Sequence, residues 1–379
     1  MKRLRRIRRV RSSTRSAASP IADPGWIGRF RRALDAWYPR HARDLPWRRT
    51  RDPYAILVSE MMLQQTQVAT VRPYFERFVK ALPDFATLAA ADEQEVLRLW
   101  EGLGYYGRAR RLHQAASEIV RQYGGRFPCD LEAAQRLPGV GRYTAGAVLS
   151  IAFDLRVPIL EANTTRLFTR LLGYRWDPWS SEGQRVLWAF AEAVLPHRHV
   201  GRFNQALMEL GSMVCTRQRP GCDTCPVAPL CAARQEGLQL VIPRPRRRPA
   251  IESLREAAVV VRHGPRVLLR RCGPKERWAG LWDFPRVALP LDGCTSTGGP
   301  LAEALAAAVH RRTGILIQPG RHLATLRHQV TRFRITLECH EACRVSGRLR
   351  PGMDLRWVPA NELARYPLSS PARKLASLV

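Results

Sequence analysis

The sequence predicts a multi-domain protein, an all-α domain that carries a four-cysteine loop followed by a smaller α+β domain. Three observations carry that expectation. Apolar residues recur at helical spacing in nine segments between Trp26 and about Ala233. Four of the nine cysteines then crowd into Cys215–Cys231. Beyond them the run Ile242-Pro243-Arg244-Pro245-Arg246-Arg247-Arg248-Pro249 separates the helical pattern from short alternating strands, because Pro stops a helix and adjacent Arg side chains repel.

Taken in order, the chain opens on MKRLRRIRRVRSSTRSAASP, a basic stretch with no apolar segment behind it. This reads as a disordered tail over 1–23 rather than a secretory signal, with an organelle presequence as the alternative. Helices follow at Trp26–Tyr38, Tyr54–Leu63, Val68–Leu82, Glu93–Trp100, Arg108–Tyr123, Tyr143–Phe153, Thr164–Leu172, Glu182–Leu195 and Arg202–Cys215, punctuated by Asp52-Pro53, Pro83-Asp84, Gly124-Gly125, Pro138-Gly139 and Asp177-Pro178. These make a domain over 24–234, with a basic Pro/Arg linker over 235–254. In the domain over 255–379, strands are expected at Ala257–Val261 and Val267–Arg271 around the hairpin signal His263-Gly264, and again at Arg334–Cys339 and Leu355–Val358. Helices are expected at Leu301–Arg312 and Pro371–Leu378.

A formal charge of +30 makes polyanions the expected partners, nucleic acid first, with an anionic membrane surface or a merely solvated basic surface as the alternatives. The excess is almost all Arg, since Lys occurs only at Lys2, Lys80, Lys275 and Lys374. No apolar run has the length to span a bilayer, and the cysteine spacing is not a secreted disulfide framework, which suggests a reducing compartment; a monomer and a cytoplasmic location are expected.

Three stretches carry chemistry. Cys215-x6-Cys222-x2-Cys225-x5-Cys231 gathers four thiolates in a loop with little else to order it, which calls for a metal; the spacing alone fits zinc or an iron–sulfur cluster. In Leu137-Pro138-Gly139-Val140-Gly141-Arg142-Tyr143-Thr144-Ala145, two glycines around one apolar residue allow a tight turn between helices. The N–H groups of the second helix then face an anion, as in a helix–hairpin–helix grip on a DNA phosphate; an ordinary helical corner is the alternative. Within Ser59–Val68, Glu60 lies among apolar residues, where desolvation favours a retained proton, although a lone Glu on a helix is more often a surface acid. A second acid, Glu161, stands at the entry of a helix, where Asp, Asn and Ser are the usual caps.

The stretches LPWR at Leu45–Arg48, SEMMLQQTQV at Ser59–Val68, GLGYYGRARRLHQAA at Gly102–Ala116, LPGVGRYTAGAVLS at Leu137–Ser150 and FNQALMELGSMVCT at Phe203–Thr216, with the four-cysteine loop, resemble the MutY adenine DNA glycosylases of the endonuclease III superfamily. RWAGLWDFP at Arg277–Pro285 resembles that family's Nudix-like domain. The resemblance implies an all-α helix-hairpin-helix glycosylase core with a [4Fe–4S] cluster on Cys215, Cys222, Cys225 and Cys231, zinc being the lesser reading, and a C-terminal α+β Nudix-like domain. It implies release of adenine mispaired with 8-oxoguanine or guanine in double-stranded DNA, after extrusion of the base from the stack.

By the same resemblance Glu60 is the general acid at adenine N7, and Glu161 the carboxylate facing the oxocarbenium-like sugar, with Tyr143 and Asn163 contacting acids or sugar. Gln65 and Tyr105 match wedge positions, Trp47, Arg48 and Gln205 the adenine pocket, and Gly139, Val140, Gly141 and Arg142 the phosphate grip. Relatives that also cut the strand carry a Lys where this chain has Tyr143, and no Lys occurs from Ala81 to Pro274, so a glycosylase without Schiff-base lyase chemistry is expected. A thymine or uracil mismatch glycosylase and a non-enzymatic DNA-binding protein are the alternatives.

The chain departs from the family at two places. Glu161-Ala162 stands where Asp-Gly is usual, which adds one methylene to the acid. Val330-Thr331-Arg332 stands where Phe-Ser-His inspects 8-oxoguanine; Thr331 keeps a hydroxyl and Arg332 adds a donor. The acidic Nudix hydrolase box is missing, since Glu303 is the only acid in Leu301–Gly314, so this domain is expected to bind and not to hydrolyse nucleotides.

Overall fold

The computed structural model describes residues 23–244, 250–290 and 300–379; the basic tail up to residue 22 and the centre of the Arg/Pro linker lie outside the described residues. The helices, in chain order, are α1 (Pro24–His41), α2 (Pro53–Leu63), α3 (Val68–Ala81), α4 (Phe85–Ala90), α5 (Glu93–Trp100), α6 (Gly107–Tyr123), α7 (Leu131–Arg136), α8 (Arg142–Phe153), α9 (Ala162–Leu171), α10 (Ser181–Ala193), α11 (Val200–Glu209) and α12 (Ala232–Gln235). They divide between two compact units, one drawn from 1–44 and 146–245, the other from 45–145 and 246–379. No described helix is long and apolar enough to cross a membrane.

In the first unit, Trp26, Phe30 and Leu34 of α1 pack into one core with Phe168 of α9, Phe190 of α10 and Phe203 of α11. In the second, α2 starts at Pro53, with the Asp52 side chain accepting from the Tyr54 and Ala55 N–H groups. Every residue of α2 from Ile56 to Met62 is buried, so this helix has no solvent face. Any polar side chain on it must be held by other groups of the protein.

The C-terminal domain, also in the second unit, is a seven-stranded sheet ordered β3-β2-β1-β6-β5, with β4 paired to β1 and β7 to β2. Its strands are β1 (Glu252–His263), β2 (Arg266–Arg271), β3 (Trp282–Asp283), β4 (Arg286–Leu289), β5 (Ile315–Val330), β6 (Phe333–Gly347) and β7 (Leu355–Pro359). The β1–β6 pair is parallel and the other strand pairs are antiparallel. Strand alternation splits β1 between two cores: Ala257, Val259 and Val261 pack with α13 (Pro300–Thr313), and Ala258 and Val260 with α14 (Ser370–Ala376). At the expected hairpin, His263 pairs with Arg266 across Gly264-Pro265, and Gly264 supplies the required positive φ of 56°.

Several elements correct the expectations. The short helices α4 and α7 are too brief for periodicity to mark, although Asp84 and Asp130 cap them through the Thr87 and Ala133 N–H groups. The helix expected to run to Cys215 ends at Glu209 and continues as a π turn over Leu210–Val214. The longest strand, β5, escaped the sequence pattern because register shifts at Leu316/Ile317, Pro319/His322 and His322/Ala324 break its alternation.

Candidate active site

Glu60 is 5% exposed on α2, and the Tyr143 hydroxyl of α8 donates to its Oε2 at 2.7 Å. The hairpin that delivers Tyr143 turns at Gly139, whose φ is +78°. A Cβ there would stand 2.8 Å from Arg111 Cβ and 3.0 Å from Met61 Cε, so two constraints require glycine. Val140 is buried, and the space around Gly141 is open. The Gly141 carbonyl accepts from Ala145 N at 2.9 Å, so α8 begins there with its first-turn N–H groups at an open end, beside Arg142.

Glu161 is held differently. It is the N-cap of α9: Oε2 accepts from Asn163 N at 2.7 Å and Asn163 Nδ2 at 3.1 Å, and Oε1 accepts from Thr164 N at 2.9 Å. Thr164 Oγ1 accepts from Glu161 N at 2.7 Å and completes a reciprocal capping box. The extra methylene therefore lets a glutamate fold back onto its own helix and fill the role a shorter acid usually takes. Ala162, the other departure, is exposed in the first turn of that helix. Burial raises the Glu161 pKa, opposed by the Asn163 and Thr164 N–H groups, the nearby Arg166 charge and the Asn163 amide.

Asn163 is itself tied down. Arg166 donates through Nη2 to Asn163 Oδ1 at 2.8 Å and to Gly211 O at 2.6 Å, and through Nε to Cys215 O at 2.7 Å. The π turn presents Gly211 here, and a Cβ at Gly211 would lie 2.9 Å from Asn163 Cβ. A hydrogen-bonded chain thus runs from the Glu161 carboxylate through Asn163 and Arg166 to the carbonyl of the first loop cysteine.

The four cysteines Cys215, Cys222, Cys225 and Cys231 line one small cavity together with Leu167, Arg170 and Val227. Arg170, 2% exposed, donates through Nη1 to Cys215 Sγ at 3.3 Å and to Thr216 O at 2.7 Å. Burial first, then the charge of neighbouring thiolates, pushes the Cys225 thiol up to about 11 and raises Cys222 and Cys231. Among the described residues no three His, Cys, Asp or Glu side chains are gathered closely enough to hold a single metal ion.

Gln65 and Tyr105 both project into solvent from left-handed backbone, at φ 57° and 48°, and Tyr105 is 48% exposed. Trp47 lies on a short 3-10 turn, buried edge-on against Phe75 at 5.2 Å, with Arg48 half-buried beside it in sequence. Gln205 is half-buried, its Oε1 accepting from the Tyr38 hydroxyl at 3.0 Å. In the C-terminal domain Thr331 and Arg332 form the two-residue turn between β5 and β6, closed by the Val330–Phe333 pair. Thr331 is exposed at φ 51°, an outlying conformation for a β-branched residue. Arg332 pairs with Glu252 at 3.1 Å and lies over the Phe333 ring, both side chains about half exposed.

Sequence reasoning missed Arg108, Arg166 and Arg170, all of which hold backbone in place. Asn163, Arg166 and Arg170 fall at i, i+3 and i+7 on α9, a spacing that puts them on one face and could have marked them.

Comparison with known proteins finds two families along the chain. The HhH-GPD superfamily of base excision DNA repair proteins matches residues 58–192, and the NUDIX domain matches residues 256–378. The adenine DNA glycosylase of Rattus norvegicus is 36% identical over 413 residues, covering 94% of this chain and 78% of the rat protein. That of Mus musculus is 42% identical over 279 residues, covering 71% of this chain and 53% of the mouse protein. Among solved structures, a thermostable thymine-DNA glycosylase is 29% identical with a TM-score of 0.52, over 56% of this chain and 97% of its own. The chain belongs to the adenine DNA glycosylases.

Proposed function

We propose that this glycosylase hydrolyses the N-glycosidic bond of adenine mispaired with 8-oxoguanine or guanine in duplex DNA, without strand-cutting lyase chemistry. One observation carries the reading: an acid buried in a helix with no solvent face meets a tyrosine hydroxyl, at the position where a lyase needs an amine. Glu60 delivers a proton to the departing base at N7, so adenine leaves neutral. Glu161 keeps a negative charge for the sugar that loses it, with Asn163 orienting the carboxylate. The Gly139–Arg142 turn grips a backbone phosphate, and Gln65 and Tyr105 enter the stack as the base leaves it. Trp47, Arg48 and Gln205 form the walls for the extruded adenine.

The four loop cysteines line one cavity and supply the all-thiolate ligand set of a [4Fe–4S] cluster, which the resemblance to the adenine DNA glycosylases favours over zinc. When bound, the cluster supplies the tie that orders the loop. Thr331 and Arg332 face the opposing 8-oxoguanine; the Glu252 pair that occupies Arg332 is exposed and worth about 1 kcal/mol or less, so DNA can displace it. With Glu303 as its one acid in the helix region, the C-terminal domain binds and does not hydrolyse.

The test uses four duplexes, with A opposite 8-oxoguanine, A opposite G, T opposite G and U opposite G, each incubated with the protein and then treated with hot alkali. Cleavage is expected at the two adenines. Cleavage confined to T or U would transfer the chain to mismatched pyrimidines, in line with the thymine-DNA glycosylase it is similar to, and none at all would leave a binding protein. The protein is expected to be brown and to contain iron; a colourless, zinc-loaded protein would overturn the cluster.

A further inference from the structure

Arg108 is the second residue of α6 and is 5% exposed, yet its partners are carbonyls, one hydroxyl and two rings, with no carboxylate among them. Nη1 donates to Met61 O at 3.1 Å, Met62 O at 2.8 Å and Gln64 O. Nη2 donates to Thr66 Oγ1 at 3.1 Å, Leu103 O at 3.3 Å and Gly104 O at 3.1 Å. The guanidinium also lies 5.5 Å from the Trp100 ring and 5.4 Å from the Tyr105 ring. One buried cation thus closes the C-terminus of α2, whose last carbonyls have no helical partners, and clasps the loop that leads into α6.

Those two loops carry the two exposed side chains assigned to the wedge. Gln65 follows directly on Gln64, and Tyr105 directly on Gly104, both in left-handed backbone that costs free energy for a residue with a side chain. The loop before Tyr105 is otherwise built from left-handed glycines, Gly102 at φ 100° and Gly104 at φ 72°, which impose no direction of their own. Something outside the loops must fix both conformations at once, and among the described residues Arg108 bonds to both. Burial pushes its pKa down to about 10, still well above neutrality, so the clasp stays charged.

We infer that Arg108 is a positioning residue that locks Gln65 and Tyr105 into one rigid wedge for unstacking DNA, so that the two loops enter the duplex as a unit. The inference rests on the wedge reading of those two residues given above. A planar fork reaching six acceptors is a demand that lysine, with three donors on a point charge, cannot meet.

The experiment compares Arg108→Lys with the unaltered protein on two duplexes, one carrying an A·G pair (the paired duplex) and one with an abasic site opposite the target adenine. In the paired duplex a 2-aminopurine beside the adenine reports unstacking. The variant is expected to lose most of the fluorescence rise and between about tenfold and a hundredfold of single-turnover release on the paired duplex. It should stay within about threefold on the duplex whose adenine is already loosely stacked. Equal losses on both duplexes, or no loss on either, would overturn the inference, the former marking a merely structural role. If Arg108→Lys does not fold, Thr66→Val removes a single acceptor from the same clasp and must show the same contrast at smaller size. Gln65→Ala and Tyr105→Ala serve as controls: if they leave the fluorescence rise intact, the wedge reading fails; if they abolish it while Arg108→Lys keeps it, this inference alone fails.

Discussion

Glu60 and Glu161 are acids of the same kind placed in opposite surroundings. Glu60 sits mid-helix, where neighbouring backbone N–H groups are already spent on the helix, and a tyrosine hydroxyl reaches it from α8. Glu161 sits at a helix start, where backbone N–H groups are free to donate, and it collects two of them and an amide. A hydroxyl from another helix meets the Glu60 carboxyl group, whereas N–H donors of its own helix meet Glu161 and oppose the raising of its pKa by burial. In the proposed mechanism this difference in position matches the two roles assigned, proton donor to the base and charge partner of the sugar.

The largest way to break the comparison is Glu60→Gln. It keeps the shape and an acceptor for Tyr143 but removes the proton, so adenine release should fall by about a thousandfold or more while duplex binding persists. Single-turnover release beside a binding titration checks this; near-normal release would take the acid role from Glu60. Tyr143→Phe removes one hydroxyl donor to the Glu60 carboxyl group, and a fall of about tenfold in release is expected, with melting temperature within a few degrees as the check.

Glu161→Asp sharpens the other side. Asp is a strong N-cap and keeps bonds to the first-turn N–H groups, so stability should change by less than about 0.5 kcal/mol and release by less than about tenfold. Collapse of activity in that variant would mean that the backbone is fitted to the extra methylene, with Ala162 the first place to look. The smallest effect is in pH. The Glu161 pKa is raised by burial, and the ionised form serves the sugar, so release should fall as pH drops through that raised value. The acid limb of the rate profile should accordingly lie above the ordinary glutamate range near ~4.3, and a limb at or below that range would contradict it.

Much of this was legible in the sequence because it was written in residue types with few alternative meanings. Four spaced cysteines pointed to a metal though not to which one, paired glycines to a tight turn between helices, and an acid inside the apolar run of α2 to a desolvated carboxyl; the family resemblance narrowed each. The arginines carry no such mark. In a chain with 62 Lys and Arg residues, nothing in composition separates Arg108, Arg166 and Arg170, which bond to backbone in the interior, from those that face solvent. The cap at Glu161 was hidden for another reason: propensity ranks Glu low there, and only the backbone shows the side chain folding back. In β5 the bulges near Pro319 erased the period by which strands are found.

The division of labour between the two acids is tested most directly by changing the leaving group. A duplex carrying a 4-nitrophenyl 2-deoxyriboside at the target position releases a stable phenolate that needs no proton. On that duplex Glu60→Gln should recover to within about tenfold of the unaltered protein, while Glu161→Ala should remain as impaired as it is on adenine. If Glu60→Gln stays inactive there, or if both variants recover alike, the two acids do not hold the separate roles assigned to them.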